Sequence, residues 1–161
     1  MAAMTFALVL IFLAIWMTYA GSHTYPRYEQ LPPGRATTVQ GITYKLIKLT
    51  RTAVIIDGDQ SKPAQAGAIY VVAELEVTAG KKDPTCSIEL VGDGKRTWES
   101  DSSFYDRKLP QYCGSYDHPV TPGKPFQLEQ IFQIPARFAD RLYGVGVPDS
   151  SSPAPTRVLT P

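Results

Sequence analysis

The chain has almost no cysteine and almost no histidine: Cys86, Cys113, His23 and His118 are the whole supply in 161 residues. A structural zinc site takes about four such ligands, usually with a close Cys-x-x-Cys pair, so this chain has no motif for one. Net charge is also nearly absent, with 16 basic against 15 acidic residues and a formal balance of +1. No run of like charges breaks that balance, and without a concentrated positive face nucleic acid is excluded as the main partner. There is no glycine-rich phosphate loop, no nucleophile-elbow pattern around Ser102 and Ser103, and no internal repeat. The expectation is a protein without catalytic residues, metal or cofactor.

Charged side chains are missing entirely from the first 22 residues, MAAMTFALVLIFLAIWMTYAGS, and the first one in the chain is Arg27. As a helix, Ala2 to Ala20 would run about 28 Å at ~1.5 Å per residue, close to the ~30 Å of bilayer hydrocarbon. Residues 1–22 are therefore expected to form a single N-terminal transmembrane helix. The same stretch also suits a cleaved signal peptide, with Phe6 to Met17 as its apolar core and Thr18, Ala20 and Gly21 as small residues near a cleavage site. Arg27 and Arg35 follow the segment and no Lys or Arg precedes it, which by charge bias alone would leave the domain in the cytoplasm. The cysteines point the other way, because an even count behind an export-type segment is the usual oxidised arrangement.

Three readings of the cysteines compete. A metal site would need His23 and His118 as well, and His23 lies in a stalk far from the pair. A nucleophile would need a base, and His118, five residues from Cys113, is the one nearby. A disulfide between Cys86 and Cys113 needs nothing further, and in the chain-entropy model it stabilises the fold by about 3–4 kcal/mol. The disulfide is expected.

Fourteen prolines and twelve glycines punctuate short β-branched and aromatic runs, the composition of many turns and short strands. Tyr25 to Gly34, YPRYEQLPPG, reads as a proline-rich stalk within residues 23–36. Alternation then begins. Val39 to Leu49 sets Ile42, Tyr44 and Leu46 on one face, TAVIID from Thr52 continues as a second strand, and Asp57 to Gly67 reads as a loop. Ala68 to Thr78 alternates most clearly, with Ile69, Val71, Ala73, Leu75 and Val77 inward. Cys86, Ile88 and Leu90 lead to a GDGK hairpin turn at Gly92 to Lys95 and a return through Trp98. Glu99 to Pro122 is a long irregular connection. Phe126 to Ile134, one helical turn over Arg137 to Arg141, and Leu142 to Val147 complete a domain at 37–148. Residues 149–161 are expected to be tail, with Val158 and Leu159 as a candidate terminal strand. Six or seven short strands make this an all-β, antiparallel β-sandwich.

The LPPG, GITYKLIKL and AIYVVAELEV stretches, the two cysteine segments, the PGKPF turn and IPARFADRLYGVGV together resemble a family. It comprises small actinobacterial exported or membrane-anchored immunoglobulin-like proteins, mostly of unknown function and similar in type to a secreted mycobacterial Ig-like antigen. The resemblance covers roughly Leu31 to Val147. It implies an Ig-like sandwich outside the cytoplasmic membrane and supplies no catalytic residues.

Asp57-Gly58-Asp59 has oxygen ligands but lacks the further carboxylates of a calcium loop, and Asp101, Asp106 and Asp117 are scattered, so ordinary turns are expected at both places. The aromatics of the long connection stand out more. Trp98, Phe104, Tyr105, Tyr112 and Tyr116 either cover the core beneath the loop or form a recognition surface, since Tyr and Trp give large contact area at low entropy cost. The functional expectation is a membrane-anchored, extracytoplasmic, non-enzymatic domain that binds or supports another membrane or envelope protein. A secreted antigen-like or ligand-binding protein, and an envelope enzyme using His118 with Asp117 or Asp106, are the alternatives.

Overall fold

The structure is a computed structural model that describes residues 2–23, 27–114, 118–152 and 154–161, with side chains at the N-terminus described from Thr5 to Gly21. The elements in chain order are α1 (Ala2–His23), β1 (Tyr28–Gln30), β2 (Thr37–Val39), β3 (Ile42–Thr52), β4 (Val54–Asp57), β5 (Gln60–Pro63) and β6 (Ala68–Ala79). After them come β7 (Glu89–Gly92), β8 (Arg96–Trp98), β9 (Pro125–Pro135), β10 (Leu142–Val147) and β11 (Thr156–Leu159).

Period-two alternation drives the assembly. One sheet has the order β2-β3-β6-β9 and the other β1-β11-β10-β7-β8, with β4 and β5 forming a separate two-stranded hairpin. Every pairing is antiparallel except that of β1 with β11. Ile42, Tyr44 and Leu46 from β3 and Val71, Ala73, Leu75 and Val77 from β6 meet Leu90, Val145 and Leu159 of the opposite sheet in the main core. Each fully buried side chain of that size contributes about 1.5–3 kcal/mol, which is what holds two short-stranded sheets face to face. The β2–β3 turn passes through Gln40 and Gly41, both at positive φ (50° and 76°), the left-handed pair a two-residue hairpin requires. Gly144 in β10, at φ 144°, lies so close to the Leu159 carbonyl that any Cβ there would collide with backbone.

Several expectations change. The stretch expected as a stalk is not free: β1 within it pairs with β11, and the Leu31 amide donates to the Val158 carbonyl at 2.9 Å. At the end of the expected tail, the candidate strand through Val158 and Leu159 forms as β11 with both side chains fully buried. The sandwich thus runs from Tyr28 to Leu159. The loop expected at Asp57 to Gly67 contains a strand, β5, whose polar QSKP hides its pairing with β4.

The N-terminal segment is helical as expected and apolar all round, with Phe6, Leu8, Ile11, Trp16 and Met17 more than half exposed. The expectation of a transmembrane span is corrected: among the described residues no helix is long and apolar enough to cross a membrane.

Candidate binding surface on the long connection

The described residues of the long connection, 99–114 and 118–124, pack on the outer face of β6 and bond the free edge of β9. Its first half has an apolar seat. On β6 the residues that point away from the main core include Tyr70 and Val72. They join Ile131 of β9, Ile55 of the hairpin and Phe104 of the connection in a second, smaller cluster. Phe104 is only 3% exposed and meets the Tyr70 ring edge-on at 5.5 Å.

Beside Phe104 the chain is pinned by Asp57, a carboxylate 5% exposed at the end of β4. Its Oδ2 accepts from Lys62 Nζ at 2.6 Å and from the Tyr105 amide at 3.4 Å, and its Oδ1 accepts from the Asp106 amide at 2.9 Å. The Lys62 hydrogen bond, helped by the two amides, holds the Asp57 carboxyl below its usual range despite burial. Lys62 also donates to the Ser103 carbonyl at 3.0 Å and lies 5.0 Å from the Phe104 ring centroid. One residue on, Arg107 forks onto Glu129 of β9 with two bonds of 2.7 Å and donates to the Ile56 carbonyl. Paired guanidinium and carboxylate of this geometry are mutually satisfied and directional.

The second half is held differently. Cys86 and Cys113 form a disulfide with Cα atoms 5.7 Å apart, as expected. The Pro110 carbonyl accepts from the Glu129 amide at 2.9 Å, and the Gln111 carbonyl accepts from the Gln130 side chain. Val120 enters the main core, and the Gly123 amide reaches the Ala79 carbonyl at 2.8 Å. Together with the bond from the Asp101 amide to the Ile131 carbonyl, these contacts cover an edge that would otherwise present unpaired backbone.

The five expected aromatics divide. Phe104 is corrected from candidate recognition residue to core, because burial under the loop consumes its surface. Trp98 packs partly buried against the main core, its ring 5.9 Å from Phe138. Tyr105 is 83% exposed and Tyr112 55% exposed, and these two remain presented to solvent. Tyr116 lies outside the described residues, as does Asp117.

Around the two tyrosines the surface is grooved. One groove of about 570 Å³ is bounded by Ile56, Glu74, Asp106, Arg107 and Lys108. A second, of about 500 Å³, continues past Lys108 and Leu109 to His118 and Phe126. A depression of about 200 Å³ has Tyr105, Tyr112 and His118 among its walls. Asp106 borders the first groove and His118 the other two, and Asp117, the other acid considered from sequence, lies outside the described residues. Among the described residues no group of three or more His, Cys, Asp or Glu could hold a metal ion. Sequence reasoning missed Lys62, Arg107 and Glu129 and read Asp57 as turn chemistry. Its one signal was the carboxylate beside Gly58, which the fold uses as an internal acceptor.

No family model matches the chain, and no curated protein matches it significantly. Two solved structures are similar in fold. A conserved hypothetical protein from Bacillus anthracis aligns over 71% of this chain and 86% of its own, at 15% identity and a TM-score of 0.52. An uncharacterized beta-sandwich protein from Clostridium difficile 630 aligns over 83% of this chain and 94% of its own, at 10% identity and a TM-score of 0.51.

Proposed function

We propose that this chain is a non-enzymatic, extracytoplasmic Ig-like domain that binds a membrane or envelope protein through Tyr105 and Tyr112 on its long connection. The observation that carries the reading is the contrast between Tyr105 and its neighbours. Phe104 and Asp106 are fixed to the body by burial and by Asp57, while the phenol between them stands 83% exposed. A large aromatic held on a pinned backbone loses little entropy when a partner covers it, which suits a binding anchor.

The disulfide supports an oxidising location, since such bonds persist outside the cytoplasm. The uncharged, apolar α1 supports the alternative of a cleaved signal segment that exports the domain. A neutral overall charge fits a protein partner better than a polyanion. A photo-crosslinking residue at position 105, activated in intact cells, is expected to give a discrete protein adduct. The same residue at Lys81, exposed on the loop after β6, should give none. No adduct at 105, or equal adducts at both positions, would remove the proposal. Intact mass of the native protein tests location: an exported domain should have shed its first ~20 residues, as a cleaved signal peptide does, and a full-length mass would remove that reading.

A further inference from the structure

Two short turns meet at the end of the sandwich where β6 begins and β9 finishes. β10 pairs with β7 through Leu142 and Gly92, which sets the 3-10 turn Ala136–Arg141 beside the turn Asp93–Lys95. Gly92 lets them close up, because a Cβ there would meet the Trp98 ring and the Arg141 carbonyl. Phe138 is half-buried at this junction, with the Trp98 ring 5.9 Å away. Arg96 brings its Cζ to 4.6 Å from the Phe138 ring centroid, and Arg137 brings its own to 5.0 Å. Both arginines are exposed. Two guanidiniums therefore share one ring.

Neither guanidinium has a carboxylate. Among the described residues Arg137 makes no hydrogen bond and no ion pair, and Arg96 donates only to the Asp93 carbonyl, at 2.8 Å. The carboxylates of these two turns are already engaged. Asp93 accepts from the Tyr143 hydroxyl at 3.3 Å and lies 4.0 Å from Arg141, while Asp140 pairs with Arg51 at 2.9 Å. Lys95 and Arg141 are further exposed cations, so positive charge exceeds negative at this corner of a nearly neutral chain. A guanidinium held against a ring by its face keeps its in-plane N–H groups for an oxyanion. One such fork satisfies a carboxylate. Two forks with cations beside them match a phosphate monoester, which carries three acceptor oxygens and roughly two negative charges at neutral pH. A polyanionic strand would need a longer positive track than one corner provides.

We propose that Arg96 and Arg137, gathered on Phe138, clamp the phosphate group of a phosphate monoester. The site is separate from the tyrosine surface and does not depend on that surface binding a protein. The intact, disulfide-bonded protein should be titrated with inorganic phosphate and with glycerol phosphate at about pH 7.5, where both are mainly dianions. Sodium chloride of equal ionic strength is the control, and NMR of the arginine side chains and the Phe138 ring is the readout. Both phosphates should saturate and shift the Arg96, Arg137 and Phe138 signals. Acidification to about pH 5 should weaken them, because the ligand loses a charge. Arg137→Gln should weaken binding about tenfold, the loss of a charged fork, while melting stays within a few degrees because the side chain is exposed. Arg96→Gln should weaken it similarly, and Lys81→Gln, beyond the opposite end of β6, should bind like the parent. Vesicles containing phosphatidic acid distinguish the source. Sedimentation with them that Arg137→Gln abolishes marks a lipid headgroup, and binding of the soluble phosphates alone marks a free ligand. The proposal is overturned if neither phosphate saturates at roughly 50 mM, far above the millimolar Kd of weak small ligands. It is also overturned if chloride gives the same shifts, or if Arg96→Gln and Arg137→Gln both bind like the parent.

Discussion

The two halves of the long connection are fastened by different chemistry. From Asp101 to Arg107 the fastening is ionic and apolar: Asp57 gathers Lys62 and two amides, Arg107 grips Glu129, and Phe104 sinks into the second cluster. From Pro110 to Lys124 it is covalent and backbone-mediated, through the disulfide and the bonds to β9 and β6. Tyr105 stands on the first fastening and Tyr112 on the second. Acid should therefore disturb one tyrosine and reductant the other, and a single sequence feature cannot explain both.

Breaking the covalent half should have the largest effect. Replacing Cys86 and Cys113 together by Ala should cost about 3–4 kcal/mol in urea unfolding, the entropy of a closed loop with a separation of 27 residues. Tyr112 should gain mobility while Tyr105 keeps its place. Breaking the apolar half comes next. Phe104→Ala removes the side chain that the second cluster is built around and should cost roughly 3 kcal/mol. The main core should keep its amide protection.

The ionic contact is smaller. Asp57→Asn leaves Lys62 without its carboxylate, and because the Lys62 side chain is 31% exposed it can turn to water. A loss of about 2 kcal/mol is expected, below that of a fully buried pair. The sign with pH follows from the lowered Asp57 value. Its contribution is fully present above the unfolded value of about 3.9 and is lost as pH falls through the lower folded value. Acid titration should loosen Tyr105 only below about pH 4. Smallest of all, Tyr105→Ala should change stability by no more than about 0.5 kcal/mol, since the side chain is exposed. If the tyrosine is a binding anchor, crosslinking or capture should fall sharply in the same variant.

Much of this fold is written as period-two alternation. Ile42, Tyr44 and Leu46 bury together as their spacing requires, and the AIYVVAELEV strand lies at the centre of its sheet. The cysteine pair and the turn at Gly94 were equally legible, because local chemistry decides both. What escaped was decided by distant contacts. QSKP has no apolar face, so only its register with β4 makes it a strand. Tyr28 to Gln30 sits among prolines, and its partner lies at the far end of the chain. In the connection no periodicity exists to separate the buried Phe104 from the exposed Tyr105 beside it.

Amide hydrogen exchange of the Asp57→Asn variant against the parent, at neutral pH and with the disulfide intact, tests the account most directly. Independent fastenings predict faster exchange across Asp101 to Arg107, with the amides of Gln111 to Gly114 unchanged. Acceleration of both segments together, or of neither, would contradict it.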